Sequence, residues 1–131
     1  MWALDTNVLI HHFQGKGLVS QRLLAHSPHE LAVPAVVAYE LQVGALKSNN
    51  PQVRLAQVER LLSVIQVLPL GMREAVEAAK IRVALEAAGQ GIGPVDVLIA
   101  ATARANALIL VTHNLNEFKR VPALDCEDWF A

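Results

Sequence analysis

Short apolar runs alternate with helical periods from one end of the chain to the other, and that order constrains the fold more than any single motif. "WAL", "ELAVP", "QVLPL", "LILVT" and "ALDC" are the strand candidates, and helical segments separate the first four of them. A strand, a helix and another strand in sequence read as a βαβ unit, whose strands run parallel and whose helices cover the sheet. "LILVT" is apolar almost throughout, as a strand buried on both faces has to be. The expected class is therefore α/β, with a central parallel β-sheet flanked by helices on both faces. Ligands of such sheets collect beyond the carboxyl ends of the strands.

Punctuation delimits the helices. "NVLIHHF" and "VSQRLLAH" are separated by Gly15 and Gly17, and Pro34 stops the second strand. Ala35 to Leu46 is helical, and Pro51 to Ile65 more clearly so, because Val58, Leu61, Leu62 and Ile65 share one face. Ala78, Ile81, Leu85 and Ala88 stripe a helix from Met72 to Ala88 that Gly89 closes, and Pro94 opens another running to about Asn106. With 131 residues, 53% of them hydrophobic, and no repeat or low-complexity linker, the expectation is a single domain over residues 1–131. The lone cysteine, Cys126, excludes an internal disulfide and a zinc site of several thiolates, which fits a reducing, cytoplasmic setting. No signal-peptide pattern and no apolar run of ~18–20 residues is present, so the chain reads as soluble. A net charge of -1 announces no nucleic-acid or membrane partner, and a charged ligand has to be met by a local patch.

Against this background four acids stand out. Asp5 is wedged between "MWAL" and a second apolar run, at the carboxyl end of the first strand. Glu40 has Val36, Val37, Val43 and Gly44 as its helical neighbours and no basic partner among them. Asp96 sits two residues after Pro94 at the head of an almost wholly apolar helix, and Glu117 lies in the loop or short helix after "LILVT". Each has a plain structural reading. Asp5 caps the next helix, or Asp96 complements a helix dipole, either effect being worth ~0.5–2 kcal/mol. Glu40 gains neither benefit, and Glu117 alone is an ordinary solvated acid. Gathered at one sheet edge they repel, two charges ~4 Å apart by roughly 4 kcal/mol at an effective dielectric of 20. Such a cluster needs protons or a cation. All-oxygen ligands suit Mg²⁺ or Mn²⁺, and ions held in this way commonly serve phosphodiester hydrolysis.

"LDTNVLI", the "YEL" glutamate, "GIGPVDVLIAATA" and "LVTHNLNEFKRV" resemble, in order and spacing, the motifs of PIN-domain ribonucleases. More narrowly the chain is similar to the VapC toxins of VapBC toxin–antitoxin systems, down to the terminal "EDWF". The resemblance implies a PIN-like α/β fold with an acidic pocket for Mg²⁺ or Mn²⁺ and metal-dependent cleavage of RNA. It places Asp5, Glu40, Asp96 and Glu117 on the acidic positions. Asp5 and Asp96 would be the principal metal ligands, Glu40 would bind metal or position the attacking water, and Glu117 would help hold a second cation. Thr6, Asn7, Thr112 and Asn114 match the polar residues that orient the carboxylates or water, while Asn114 reads equally as a plain turn residue. It further implies a cognate VapB-type antitoxin covering the acidic groove, a homodimer, and tRNA as substrate, with initiator tRNA cut in its anticodon stem-loop as the leading choice.

Lys16, Arg22, Arg82, Lys119 and Arg120 are the candidates for holding RNA phosphates. Arg82 lies in a segment resembling one that precedes the third acid, although a pair with Glu86 explains it equally well. The five histidines show no metal-binding spacing, and Trp2, Trp129 and Phe130 read as packing residues, the last two also as a partner surface. Two other readings compete. A haloacid-dehalogenase-type phosphatase needs a second aspartate where this chain has Asn7. A catalytically degenerate PIN domain would serve only as an RNA- or partner-binding module, against which stands the presence of all four acids.

Overall fold

A computed structural model describes residues 1–131. Five short strands, β1 (Trp2–Leu4), β2 (Leu31–Pro34), β3 (Gln66–Leu68), β4 (Ile109–Val111) and β5 (Cys126–Glu127), form one sheet in the order β3-β2-β1-β4-β5. Every neighbouring pair is parallel, as βαβ connections require. Seven helices join them: α1 (Thr6–Gln14), α2 (Val19–Leu24), α3 (Ala35–Leu46), α4 (Pro51–Val64), α5 (Met72–Ala87), α6 (Pro94–Ala105) and α7 (Leu115–Phe118). The chain builds outward from β1 to β3 and then crosses back to add β4 and β5 on the other side. Right-handed crossovers put the helices of these two halves on opposite faces. Helix α3 packs mainly with α4 and also meets α1 and α6, while α5 packs with α6.

The core follows from the expected apolar faces. Ala3, Leu4, Val33, Leu110 and Val111 of the strands are fully buried beneath Leu9, Val37, Ile81, Ile99 and Phe118 of the helices. Truncating any of the larger ones would cost ~2–5 kcal/mol through lost transfer energy and a residual cavity. Pro51 and Pro94 open α4 and α6 as expected, and Gly15 ends α1 with φ 65°, its N–H returning to the carbonyls of His11 and His12.

The last strand departs from expectation. "ALDC" predicts a strand over residues 123–126, but β5 comprises Cys126 and Glu127. Ala123 has φ 58°, a left-handed conformation that turns the chain rather than extending it. The strand therefore starts only after that turn, with the Asp125 and Glu127 carbonyls accepting from Leu110 and Thr112. Burial pushes the Cys126 thiol up to about 11, which leaves it an inert packing group.

Reversal of strand order falls between β1 and β4. In an open parallel sheet this is where two adjacent connections leave in opposite directions and open a crevice. Asp5 is the first residue beyond β1 and Thr112 the first beyond β4, and the Asp5 N–H donates to the Val111 carbonyl at 3.0 Å.

Candidate active site

Asp5 is both a helix cap and something more. Its Oδ1 accepts from the Thr6 N–H at 2.8 Å, capping α1, while its Oδ2 accepts from the Thr112 hydroxyl at 2.7 Å. The residue is only 4% exposed, and Thr112 is fully buried. Burial raises the Asp5 carboxyl above the ordinary aspartate value and Glu40 adds to the rise, whereas the Thr112 and Thr6 donors oppose it. Thr112 in turn accepts from the Asn114 N–H at 3.0 Å, so one hydroxyl ties the turn after β4 to the carboxylate after β1.

Glu40 approaches from α3. Five of that helix's residues are buried, Val36 and Val37 among them, so the side of α3 that packs on the core brings the carboxylate inward with it. Its Oε1 accepts from the Thr6 hydroxyl at 2.5 Å. Thr6 thus serves two acids at once, Asp5 through its backbone and Glu40 through its side chain.

Asp96 stands in the first turn of α6, where its carboxylate favours the helix dipole. That benefit is outweighed. Partial burial, the charges of Asp5, Glu117 and Glu40, and a hydrogen bond to the Glu117 carboxyl together raise its pKa from 3.8 to about 6. Asp96 thus keeps its proton to a higher pH than an ordinary aspartate does. All four predicted acids therefore belong to one electrostatic neighbourhood. None of them forms an ion pair with Lys, Arg or His.

No three His, Cys, Asp or Glu side chains are grouped tightly enough to hold one ion jointly as they stand. The donor set nevertheless fits a hard divalent cation. Its atoms are all carboxylate oxygens, its excess negative charge is unrelieved by any base, and Mg²⁺ is commonly held by one or two carboxylates while keeping several waters.

The geometry has parallels among known proteins. Residues 3–124 match the PIN domain family. The chain belongs to the PIN-domain family. It is 36% identical over 126 residues, 96% of each chain, to the tRNA(fMet)-specific endonuclease VapC of Shigella flexneri. It is also 35% identical over 128 residues to ribonuclease VapC2 of Haemophilus influenzae, covering 98% of this chain and 97% of that one. Among solved structures, DNA-bound VapBC from Salmonella typhimurium superposes with a TM-score of 0.91 at 33% identity, over 98% of this chain and 97% of that one. VapC relatives thus match the chain essentially end to end.

In this PIN domain the remaining candidates fall into distinct places. Asn7 is exposed, and Asn114 reaches the site through its backbone N–H rather than its side chain. Arg82 pairs with Glu86 at 2.8 Å, the alternative weighed above, and both side chains are largely exposed. Arg120 donates to the Gly91 carbonyl at 3.2 Å, and Arg22 to the Asp128 carbonyl at 3.3 Å. Lys16 and Lys119 are exposed and form no ion pair.

Trp2, Trp129 and Phe130 pack as expected, but sequence reasoning missed the carboxyl-terminal strap they help to build. Glu127 Oε2 accepts from both indoles, Trp2 at 3.1 Å and Trp129 at 3.0 Å, with His26 stacked on Trp129. Asp128 pairs with His113 at 2.9 Å, and the Phe130 ring lies against both His113 and His11. The Phe130 carbonyl accepts from the Leu18 N–H, and a Cβ at Gly17, where φ is 61°, would come within 2.6 Å of that oxygen. Only glycine suits both the turn and the close approach. Trp129 is buried and Phe130 half-buried, so the tail is largely covered by this chain's own rings. Sequence distance hid most of it, because the contacts to Trp2, His11, Leu18 and His26 each span more than a hundred residues, whereas His113 lies 15 residues before Asp128.

Proposed function

We propose that the protein is a metal-dependent endoribonuclease, the toxin of a VapBC-type pair, acting on structured RNA of the tRNA class. The observation that carries this reading is the convergence of Asp5, Glu40, Asp96 and Glu117 without a basic partner, strong enough to hold Asp96 protonated up to about pH 6. Its end-to-end similarity to VapC nucleases supports the same reaction class.

In this mechanism Asp5 and Asp96 would be the principal ligands of Mg²⁺ or Mn²⁺. When bound, such an ion would offset the carboxylate charge and supply Lewis-acid assistance to phosphodiester hydrolysis. Thr112 and Thr6 fix the Asp5 carboxylate in one rotamer through its two oxygens. Glu40, held by the Thr6 hydroxyl, orients the attacking water and accepts its proton. Glu117, beside Asp96, would help hold a second cation, whose positive charge would offset the negative charge developing on the leaving oxygen. Lys119 and Arg120, which follow Glu117 directly, lead the RNA backbone to the acids.

The partner is a VapB-type antitoxin whose bound segment covers the acidic groove, the active form is a homodimer, and the protein works in the cytoplasm as a single domain. Solved VapBC complexes from Salmonella typhimurium and Rickettsia felis support the antitoxin assignment. Initiator tRNA is the specific substrate proposed, by analogy with the tRNA(fMet)-specific relative of Shigella flexneri, and a cut in its anticodon stem-loop is what the family resemblance implies. The test compares total RNA and isolated tRNAs treated with antitoxin-free protein and with Asp5→Asn, each in Mg²⁺, Mn²⁺ or EDTA. Discrete fragments that need both the ion and Asp5 are expected, and their ends identify the target. If folded protein cuts no RNA above the variant's background, the chain is a binding module instead.

A further inference from the structure

Beside the acids lies a cavity of about 220 Å³ between α1, α3 and α4. Glu40 forms part of its wall, so it begins where the carboxylate cluster ends. Its interior is apolar, built from Ile10, Phe13 and Leu41, while Gln57 and Arg54 stand on the α4 side. The volume falls below the ~300–1,000 Å³ of pockets for drug-sized ligands, which suits one flat ring system rather than a helix. Arg54 donates to Gln57 at 3.1 Å and has no carboxylate partner, unlike Arg73, Arg82 and Arg104. A cation left unpaired beside an acidic cluster is suited to an anion brought in with the substrate.

We propose that this cavity is a nucleotide subsite, receiving the unstacked base next to the scissile phosphate of an RNA strand, with Arg54 on the adjoining phosphate. The inference rests on the ribonuclease reading and narrows it to RNA whose cut site lies in an unpaired segment. Phe13 and Ile10 supply the apolar faces on which a splayed base packs, and the Gln57 amide NH₂, whose oxygen already accepts from Arg54, offers a donor to its edge. Unstacking is least costly where the base is already unpaired, so the subsite selects loops over duplex.

Gly44 provides the test. It lines the cavity from inside α3, and a Cβ there meets nothing within 4 Å. Leucine at this position fills the space, and it is a better helix former than glycine. Gly44→Leu should melt no lower than the wild type, yet its KM for RNA should rise at least ~10-fold with kcat changed far less. A single abasic residue beside the cut site should slow the wild type by a similar factor and have little further effect on Gly44→Leu. Arg54→Gln should raise KM independently and so serves if the leucine variant fails to fold. A wild-type KM in both variants, or indifference of the wild type to the abasic residue, overturns the subsite. If Gly44→Leu instead keeps its RNA KM but loses affinity for the antitoxin, the cavity takes a protein side chain and the nucleotide assignment is wrong. An active wild type with either result leaves the nuclease reading standing, whereas a wild type without metal-dependent cleavage removes both.

Discussion

The two halves of the acidic site are held by opposite means. On the β1 side, Asp5 and Glu40 accept hydrogen bonds from Thr6 and Thr112, neutral donors that fix the carboxylates whether or not a cation is present. On the α6 side, Asp96 and Glu117 have no such donors, and burial together with the neighbouring carboxylates raises the Asp96 pKa to about 6. The first half is preorganised by the fold, and the second is completed by what binds. A site divided in this way keeps the position of one ligand while letting occupancy govern the charge of the other.

The largest expected effect comes from removing the charge on either side. Asp5→Asn and Asp96→Asn should each lower kcat for RNA cleavage by more than ~100-fold, because each removes a proposed ligand rather than a supporting contact. The comparison predicts a difference between them in the folded protein. Asn at position 5 still offers an oxygen to one donor but faces the other with an N–H, so local order should loosen around Thr112. Asn at position 96 removes a repelled charge and should leave the β1 side untouched. Amide chemical shifts of Thr6 and Thr112 distinguish the cases, and equal perturbation by both variants would contradict the division.

Thr112→Val comes next. The substitution keeps the shape of a fully buried side chain and deletes the hydroxyl that joins Asp5 to the Asn114 N–H. Activity or Mg²⁺ affinity should fall ~10–100-fold, as for other partners of metal ligands. Denaturant unfolding should show a loss of ~1–3 kcal/mol, since a buried acceptor and a backbone donor are both left short of a partner. Excess Mg²⁺ should recover part of the activity if the hydroxyl only orients Asp5.

The same division explains how much could be read from the letters. β1 ends at Asp5 and α1 begins at Thr6, so "WALDTN" declares strand, cap and helix in consecutive residues. Pro51, Pro94 and the apolar stripes of α4 and α5 were equally legible, because their signals lie within a few turns of helix. β5 was misplaced by its turn at Ala123, where no glycine or asparagine announces a left-handed residue. What links distant segments left no local trace. The sharing of Thr6 between Asp5 and Glu40 needs α1 beside α3, and the pairing of His113 with Asp128 needs the chain end folded across the β4 turn. Glu74 shows the converse, a buried acid held to its own helix start by the Gly71 N–H and an adjacent Arg73, with no part in the cluster.

A smaller effect should appear in the stability of metal-free protein. The Asp96 carboxyl titrates near 6 in the folded state against 3.8 ordinarily, so the folded chain holds the extra proton between those values. Stability from this group is complete below about pH 4 and is lost as pH rises to about 6. In EDTA the melting temperature of the wild type relative to Asp96→Asn should therefore drop by a few degrees between pH 5 and pH 7.5, the half-exposed position keeping the effect modest. Mg²⁺ should reverse the drop at pH 7.5 in the wild type alone. A constant difference across this range would mean that the folded chain does not raise the Asp96 pKa.

The smallest effects separate basic residues that otherwise look alike. Arg82 is exposed and already bound to Glu86, whereas Lys119 is exposed, unpaired and two residues from Glu117. Each phosphate neutralised on single-stranded RNA contributes ~0.7 to the slope of log affinity against log salt. Lys119→Ala should reduce that slope by about this amount and raise KM a few-fold, leaving kcat intact. Arg82→Ala should leave both slope and KM unchanged, since its guanidinium is engaged with a carboxylate that would have to release it first. A loss of slope in Arg82→Ala would move the RNA path toward α5, and an unchanged slope in Lys119→Ala would take it away from α7.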